Sequence, residues 1–190
     1  MATSSKAVRR ANDTVRSIED CLKDVALHPD DVDLIAFTAG LAARLEMHDI
    51  AAGLWRRVLE RDATRLDAID GCAKALRDQH QYADAVEFLR PAIVRAPGEA
   101  RLWNTLGTVV NQGGDSASAL IFFTEAARLD SRLAAAVYNR GGVHFDRGDL
   151  AACAKDFARA RALARQPSER AMITFASATL ALCQGRLGDG

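Results

Sequence analysis

The sequence carries no excess charge of either sign: 25 basic residues balance 25 acidic ones, for a formal net charge of zero. That removes the bulk field that draws proteins onto nucleic acid or anionic membranes. Long hydrophobic runs are also missing. No stretch approaches the roughly 18 apolar residues of a membrane span, and the opening MATSSKAVRRANDTVRSIED has no apolar segment of the secretion-signal kind. A cytoplasmic protein that engages neither nucleic acid nor membrane is expected.

Catalytic and metal-binding patterns are equally scarce. Cys21, Cys72, Cys153 and Cys183 form no C-x-x-C pair, which argues against a zinc site or a disulfide framework and for reduced packing residues. His28, His48, His80 and His144 lie far apart, and none has a histidine four residues on, so they read as loop or surface residues rather than ligands. There is no G-x-S-x-G, no phosphate-cradling glycine loop and no H-E-x-x-H. No catalytic residue, metal or cofactor is expected, and the chain alone does not read as an enzyme. Aromatic residues reach only 6%, and the four prolines at 29, 91, 97 and 167 leave long uninterrupted stretches. Both features suit helices packed closely on alanine and joined by short turns.

What the sequence does contain is a repeat. Starting at Ala100, Trp103, Leu106, Gly107 and Val110 are followed by Ala119, Phe123 and Ala126. Advancing by 34 residues gives Val137, Gly141, His144, Cys153, Phe157 and Ala160. Stepping back gives Ile69, Ala73, Leu76, Ala85, Leu89, Ala92 and Pro97, and again Ile35, Ala39, Ala42, Ala51, Trp55 and Val58. Small residues recur where two helices would touch, and large ones fill the space around them. Gly114 and Gly148 suit a left-handed helix end, and Asp115 and Asp149 suit the cap of the next helix. The spacing predicts helices over 32–45, 48–61, 66–78, 82–95, 100–112, 115–129, 134–146 and 149–164. Flanking helices are expected over 12–28 and, from a serine cap, over 169–184. Pro91 lies inside one of these helices, where it removes a hydrogen bond.

This pattern resembles the tetratricopeptide repeat (TPR), W-x2-L-G-x2-Y followed by A-x3-F, A and P. Val110 and His144 depart from it at the tyrosine slot, Arg140 at the leucine slot and Ser131 at the proline slot. The resemblance implies an all-α, right-handed superhelix of helical hairpins, an α-solenoid. An N-terminal partial repeat would span 1–31, and four units 32–65, 66–99, 100–133 and 134–167. A C-terminal capping helix would lie within 168–190.

The same resemblance places the first helix of each pair on a concave groove that binds a segment of a partner protein. Lys74, Arg77, Arg101, Asn104, Thr108, Asn111, Tyr138, Asn139 and Phe145 are the candidate groove residues, expected to face solvent in the free chain. The asparagines offer paired donors and acceptors to a peptide backbone, the cations meet a carboxylate, and the aromatics receive an apolar side chain. The chaperone-type carboxylate clamp is absent, with Ala36 and Gly40 at its slots, and an asparagine ladder is interrupted by Phe37, Gly71 and Thr105.

The last segment, FASATLALCQGRLGDG, is similar to a run in bacterial TPR glycosyltransferases, including ones that glycosylate flagellin. The resemblance implies a non-catalytic acceptor-recognition region of such an enzyme, with the chain continuing into a catalytic domain. A stand-alone adaptor and a self-associating scaffold are the alternative readings.

Overall fold

The computed structural model describes residues 17–185, and every regular element among them is an α-helix. In chain order these are α1 (Ile18–Leu27), α2 (Val32–Arg44), α3 (His48–Arg61), α4 (Leu66–Asp78), α5 (Tyr82–Arg95), α6 (Ala100–Gln112), α7 (Ser116–Leu129), α8 (Ala134–Asp146), α9 (Leu150–Leu163) and α10 (Pro167–Cys183). The bounds of α3, α4, α5, α6 and α8 are those that the repeat spacing predicts.

The flanking helices differ from expectation for local reasons. Helix α1 begins at Ile18 instead of running through from residue 12. Ser17 is extended there, with φ −67° and ψ 152°, and its hydroxyl accepts the Asp20 N–H. Residues 12–16 and the RLGDG tail beyond Gly185 lie outside the described residues. Helix α10 starts at Pro167, whose fixed φ suits the first helical turn, with no side-chain cap from serine.

The chain forms two compact units, divided between Ala92 and Ile93, directly after Pro91 inside α5. In the first unit, α2 and α3 form a hairpin that packs on α1 and α4. Its core gathers Val25, Leu34, Ile35, Ala39, Leu54, Trp55 and Val58, with Phe88 of α5 against it. In the second unit, α6 pairs with α7 and α8 with α9, and α10 packs on α9. Phe123 and Val143 meet in one cluster, while Val137, Phe157, Ile173 and Leu180 build another.

Close approach of helices within each unit depends on missing side chains. A Cβ added at Gly107 would stand 2.7 Å from the Phe123 ring, and one at Gly141 would stand 2.8 Å from Phe157. At Gly71 it would overlap the Trp55 indole. Each ring therefore rests directly on the facing helix backbone.

The turn after each first helix also repeats. Glu46, His80, Gly114 and Gly148 all have positive φ, at 58°, 59°, 96° and 77°. The residue after each donates its N–H five residues back: Met47 to Ala42, Gln81 to Leu76, Asp115 to Val110 and Asp149 to His144, at 2.9–3.1 Å. This is the Schellman ending, which satisfies carbonyls that the helix leaves unpaired. Asp115 and Asp149 then cap α7 and α9, accepting from Ser118 and Ala152 N–H at 3.0 Å.

Glycine holds this conformation without a Cβ penalty, whereas Glu46 and His80 bear one of about 1–2 kcal/mol. Gly114→Ala is therefore expected to lower stability by about 1 kcal/mol, and Glu46→Gly to raise it by up to about 1 kcal/mol. Thermal melts of the two variants should move in opposite directions; a shift of the same sign in both contradicts this account of the turn.

Candidate functional site

The candidate residues fall in both units. On α4 of the first unit, Lys74 Nζ reaches Asp70 Oδ2 at 2.6 Å. Arg77 is half-buried and donates to Asp78 Oδ1 at 2.6 and 2.8 Å, while His48 Nδ1 stands 3.4 Å from Asp78 Oδ2. Both cations thus have a carboxylate of their own helix beside them before any ligand arrives.

On α6 and α8 of the second unit the arrangement is more connected. Arg101 is exposed, and Asn104, Thr108 and Asn111 follow it along one face of α6. Asn139 Nδ2 donates to Asn104 Oδ1 at 3.0 Å, joining α8 to α6, and the Thr108 hydroxyl donates to the Asn104 carbonyl at 2.9 Å. Asn111 Oδ1 is buried and accepts no hydrogen bond among the described residues.

Several of these side chains stand less free in solvent than the sequence suggests. Tyr138 is half-buried and stacks on Phe157, with centroids 5.4 Å apart and planes at 22°. Phe145 is half-buried against the same cluster. Tyr138 and Phe145 therefore carry core packing as well as any contact with a ligand.

One polar group escapes the sequence reading altogether. Asp156 of α9 is 5% exposed, and Arg140 grips it with Nε to Oδ2 and Nη2 to Oδ1, both at 2.7 Å. This bidentate pairing holds the guanidinium pKa above its ordinary value. His144 Nε2 lies 4.0 Å from Asp156 Oδ2, and its Nδ1 lies 3.9 Å from Asp149 Oδ2. A signal does exist: Arg140 stands where Leu106 stands one repeat earlier, and a buried cation needs a buried anion.

The same slot in α4 holds Cys72, which is smaller than leucine. A cleft of about 270 Å³ opens beside it, lined by Ala52, Arg56, Leu76, Asp84 and Phe88. Burial pushes the Cys72 thiol up to about 11, with Arg56 acting in the opposite sense, so the thiol stays protonated and inert near neutrality. Cys21 and Cys153 are buried too, while Cys183 is exposed and does not pack as a core residue. Among the described residues, no group of three or more His, Cys, Asp or Glu is placed to hold a metal ion. No described helix is long and apolar enough to cross a membrane.

Removing one partner of a buried pair strands the other. Arg140→Ala is expected to cost about 3–5 kcal/mol, whereas Arg140→Leu with Asp156→Ala should recover most of that. Urea unfolding of wild type and the two variants measures it; an Arg140→Ala chain as stable as wild type contradicts the burial of this pair.

No family model matches the chain. Over 184 residues it is 32% identical to Protein FlbA of Caulobacter vibrioides, in an alignment that takes in 97% of this chain and 31% of FlbA. The chain thus spans about a third of that relative's length, at 31%. Among solved structures it is similar to TTC0263, a thermophilic TPR protein of Thermus thermophilus, at 22% identity and a TM-score of 0.72, covering 82% of this chain and 84% of that one. YrrB, a TPR protein with an unusual peptide-binding site, is 18% identical with a TM-score of 0.54, covering 90% of this chain and 87% of that one. SycD, a type III secretion translocator chaperone of Yersinia enterocolitica, is 16% identical with a TM-score of 0.58, covering 65% of this chain and 88% of that one. The chain has the all-α tetratricopeptide-repeat fold.

Proposed function

We propose that this chain is a non-catalytic protein-binding module, and that the face of α6 and α8 holds an extended segment of its partner. One observation carries the reading: the Asn104–Asn139 amide pair is fixed in place, and Asn111, further along α6, has a side-chain oxygen that is buried and accepts nothing among the described residues. A buried acceptor without a donor is costly, and a rotation of the Asn111 amide toward a bound peptide lets a backbone N–H supply the donor. Arg101, exposed at the start of α6, meets an acidic group, and Thr108 lines the floor between the asparagines. In the first unit, α4 carries a separate cationic stretch, Lys74 and Arg77, already balanced by Asp70 and Asp78. The repeat boundaries 32–65, 66–99, 100–133 and 134–167, with flanking segments 1–31 and 168–190, belong to this proposal.

The finer reading is that the module is the acceptor-recognition part of a larger bacterial glycosyltransferase acting in the cytoplasm, with flagellin as its acceptor. Two things support it. The segment from Phe175 onward resembles such enzymes, and the alignment with 31% of FlbA fits a place in a longer chain.

Isothermal titration with flagellin and, separately, with nucleotide sugars tests both levels. Flagellin is expected to bind and the sugars are not. Asn111→Ala is expected to weaken flagellin binding about 5- to 10-fold, the equivalent of one hydrogen bond, with an unchanged melting temperature. Tyr138→Ala should lower melting as well, because it removes the stack on Phe157. Flagellin bound equally well by wild type and Asn111→Ala contradicts the assigned face; no binding of flagellin removes that acceptor.

A further inference from the structure

Helix α10 is apolar on two opposite sides. Ile173 and Leu180 point one way and are buried in the cluster that α8 and α9 build. Ala171, Phe175, Ala178 and Leu182 recur at helical spacing on the other side, and all four are exposed. Phe175 is 78% exposed and Leu182 62%. A helix apolar all round belongs in an interior, and a continuous exposed apolar stripe marks an interaction surface.

The stripe has an identifiable pattern. A small residue, then an aromatic or large residue four on, then a small residue three further on, recurs through the second helices. It reads Ala51, Trp55 and Val58; Ala85, Leu89 and Ala92; Ala119, Phe123 and Ala126; and Cys153, Phe157 and Ala160. All twelve of these residues are buried. Ala171, Phe175 and Ala178 repeat the pattern outside the 34-residue register and are exposed. In α7 and α9 the ring rests on a facing helix at a position with no side chain, Gly107 or Gly141. Among the described residues, no neighbouring helix sets a small residue opposite Phe175.

We propose that the outer face of α10 is a twofold self-association seam, in which Phe175 of each copy packs on Ala178 of the other. Run antiparallel about the Ala176–Ser177 midpoint, two α10 helices place Phe175 over Ala178 and Leu182 over Ala171, with both contacts repeated by symmetry. Every large residue meets a small one, which permits close approach. Charge points to the same occupant. No charged residue occurs from Ala171 to Cys183, in a chain that is 26% charged, so a charged partner helix finds nothing to pair with and an identical helix is fully matched. The contact is isologous and closes as a dimer. One helix face places it among the smaller, weaker interfaces. The seam does not depend on what the α6/α8 face binds.

Sedimentation equilibrium of the intact chain over a concentration series tests this. The average mass of wild type is expected to climb toward twice the monomer mass. Phe175→Glu and, separately, Ala178→Arg should stay monomeric with unchanged helical circular dichroism, since both sites are exposed in the single chain. An equimolar mixture of Phe175→Lys and Ala178→Glu chains should associate where each alone does not, because the seam places 175 of one copy against 178 of the other. A strictly monomeric wild type would assign the face to another occupant and overturn the proposal. Association of Phe175→Glu and Ala178→Arg at wild-type strength would overturn it equally.

Discussion

An aromatic ring seated on a backbone stripped of its side chain fixes two hairpins of this protein, α6 with α7 and α8 with α9. Phe123 on Gly107 and Phe157 on Gly141 set how closely α7 approaches α6 and α9 approaches α8, and Trp55 on Gly71 sets how the next first helix meets α3. Dispersion gains come from many near contacts at short range, so a gap of a fraction of an ångström forfeits much of the attraction. Once that spacing is fixed, little choice remains at the turn. The chain must reverse within a few residues, and it does so through a left-handed residue at the same position and the same Schellman bond in all four turns.

Polar chemistry enters beside the ring-on-glycine contacts. In the last repeat the leucine slot holds Arg140, and the hairpin stays closed because Asp156 supplies the matching carboxylate from the opposite helix. A buried ion pair adds little net stability over a leucine, but losing either partner strands the other and is costly. In the second repeat the slot holds Cys72, and the volume is left open as a cleft. The asparagines of α6 and α8 supply a polar link of another kind. Asn104 and Asn139 bond across the two helices.

The repeat is legible in the sequence because its constraint is local and periodic. A small residue opposite a large one, four times at one spacing, leaves few alternatives to paired helices, and most helix ends follow from it. Residues that break a slot without breaking the fold are harder to read. Glu46 and His80 take the left-handed position that Gly114 and Gly148 advertise, because the Schellman bond after them holds a strained residue in place. Asp156 has the look of an exposed helix residue until Arg140 is placed against it. The tetratricopeptide resemblance marks Tyr138 as a groove residue, but its ring reaches Phe157, a tertiary contact that the repeat pattern does not report. The division after Pro91 has only the proline itself as a signal. The exposed stripe on α10 is hidden by its register: its pattern of small and aromatic residues falls off the 34-residue period that organises the rest.

A double-mutant cycle between Gly107 and Phe123 tests the ring-on-glycine contact most directly. Gly107→Ala should destabilise the chain in the presence of Phe123, because the new Cβ enters the ring's space. In the Phe123→Leu background the same substitution should cost less, with a coupling of about 1 kcal/mol or more between two residues in direct contact. Equal costs for Gly107→Ala in both backgrounds would mean that the ring does not rest on that backbone, and would contradict the interaction on which the rest of the structure is built.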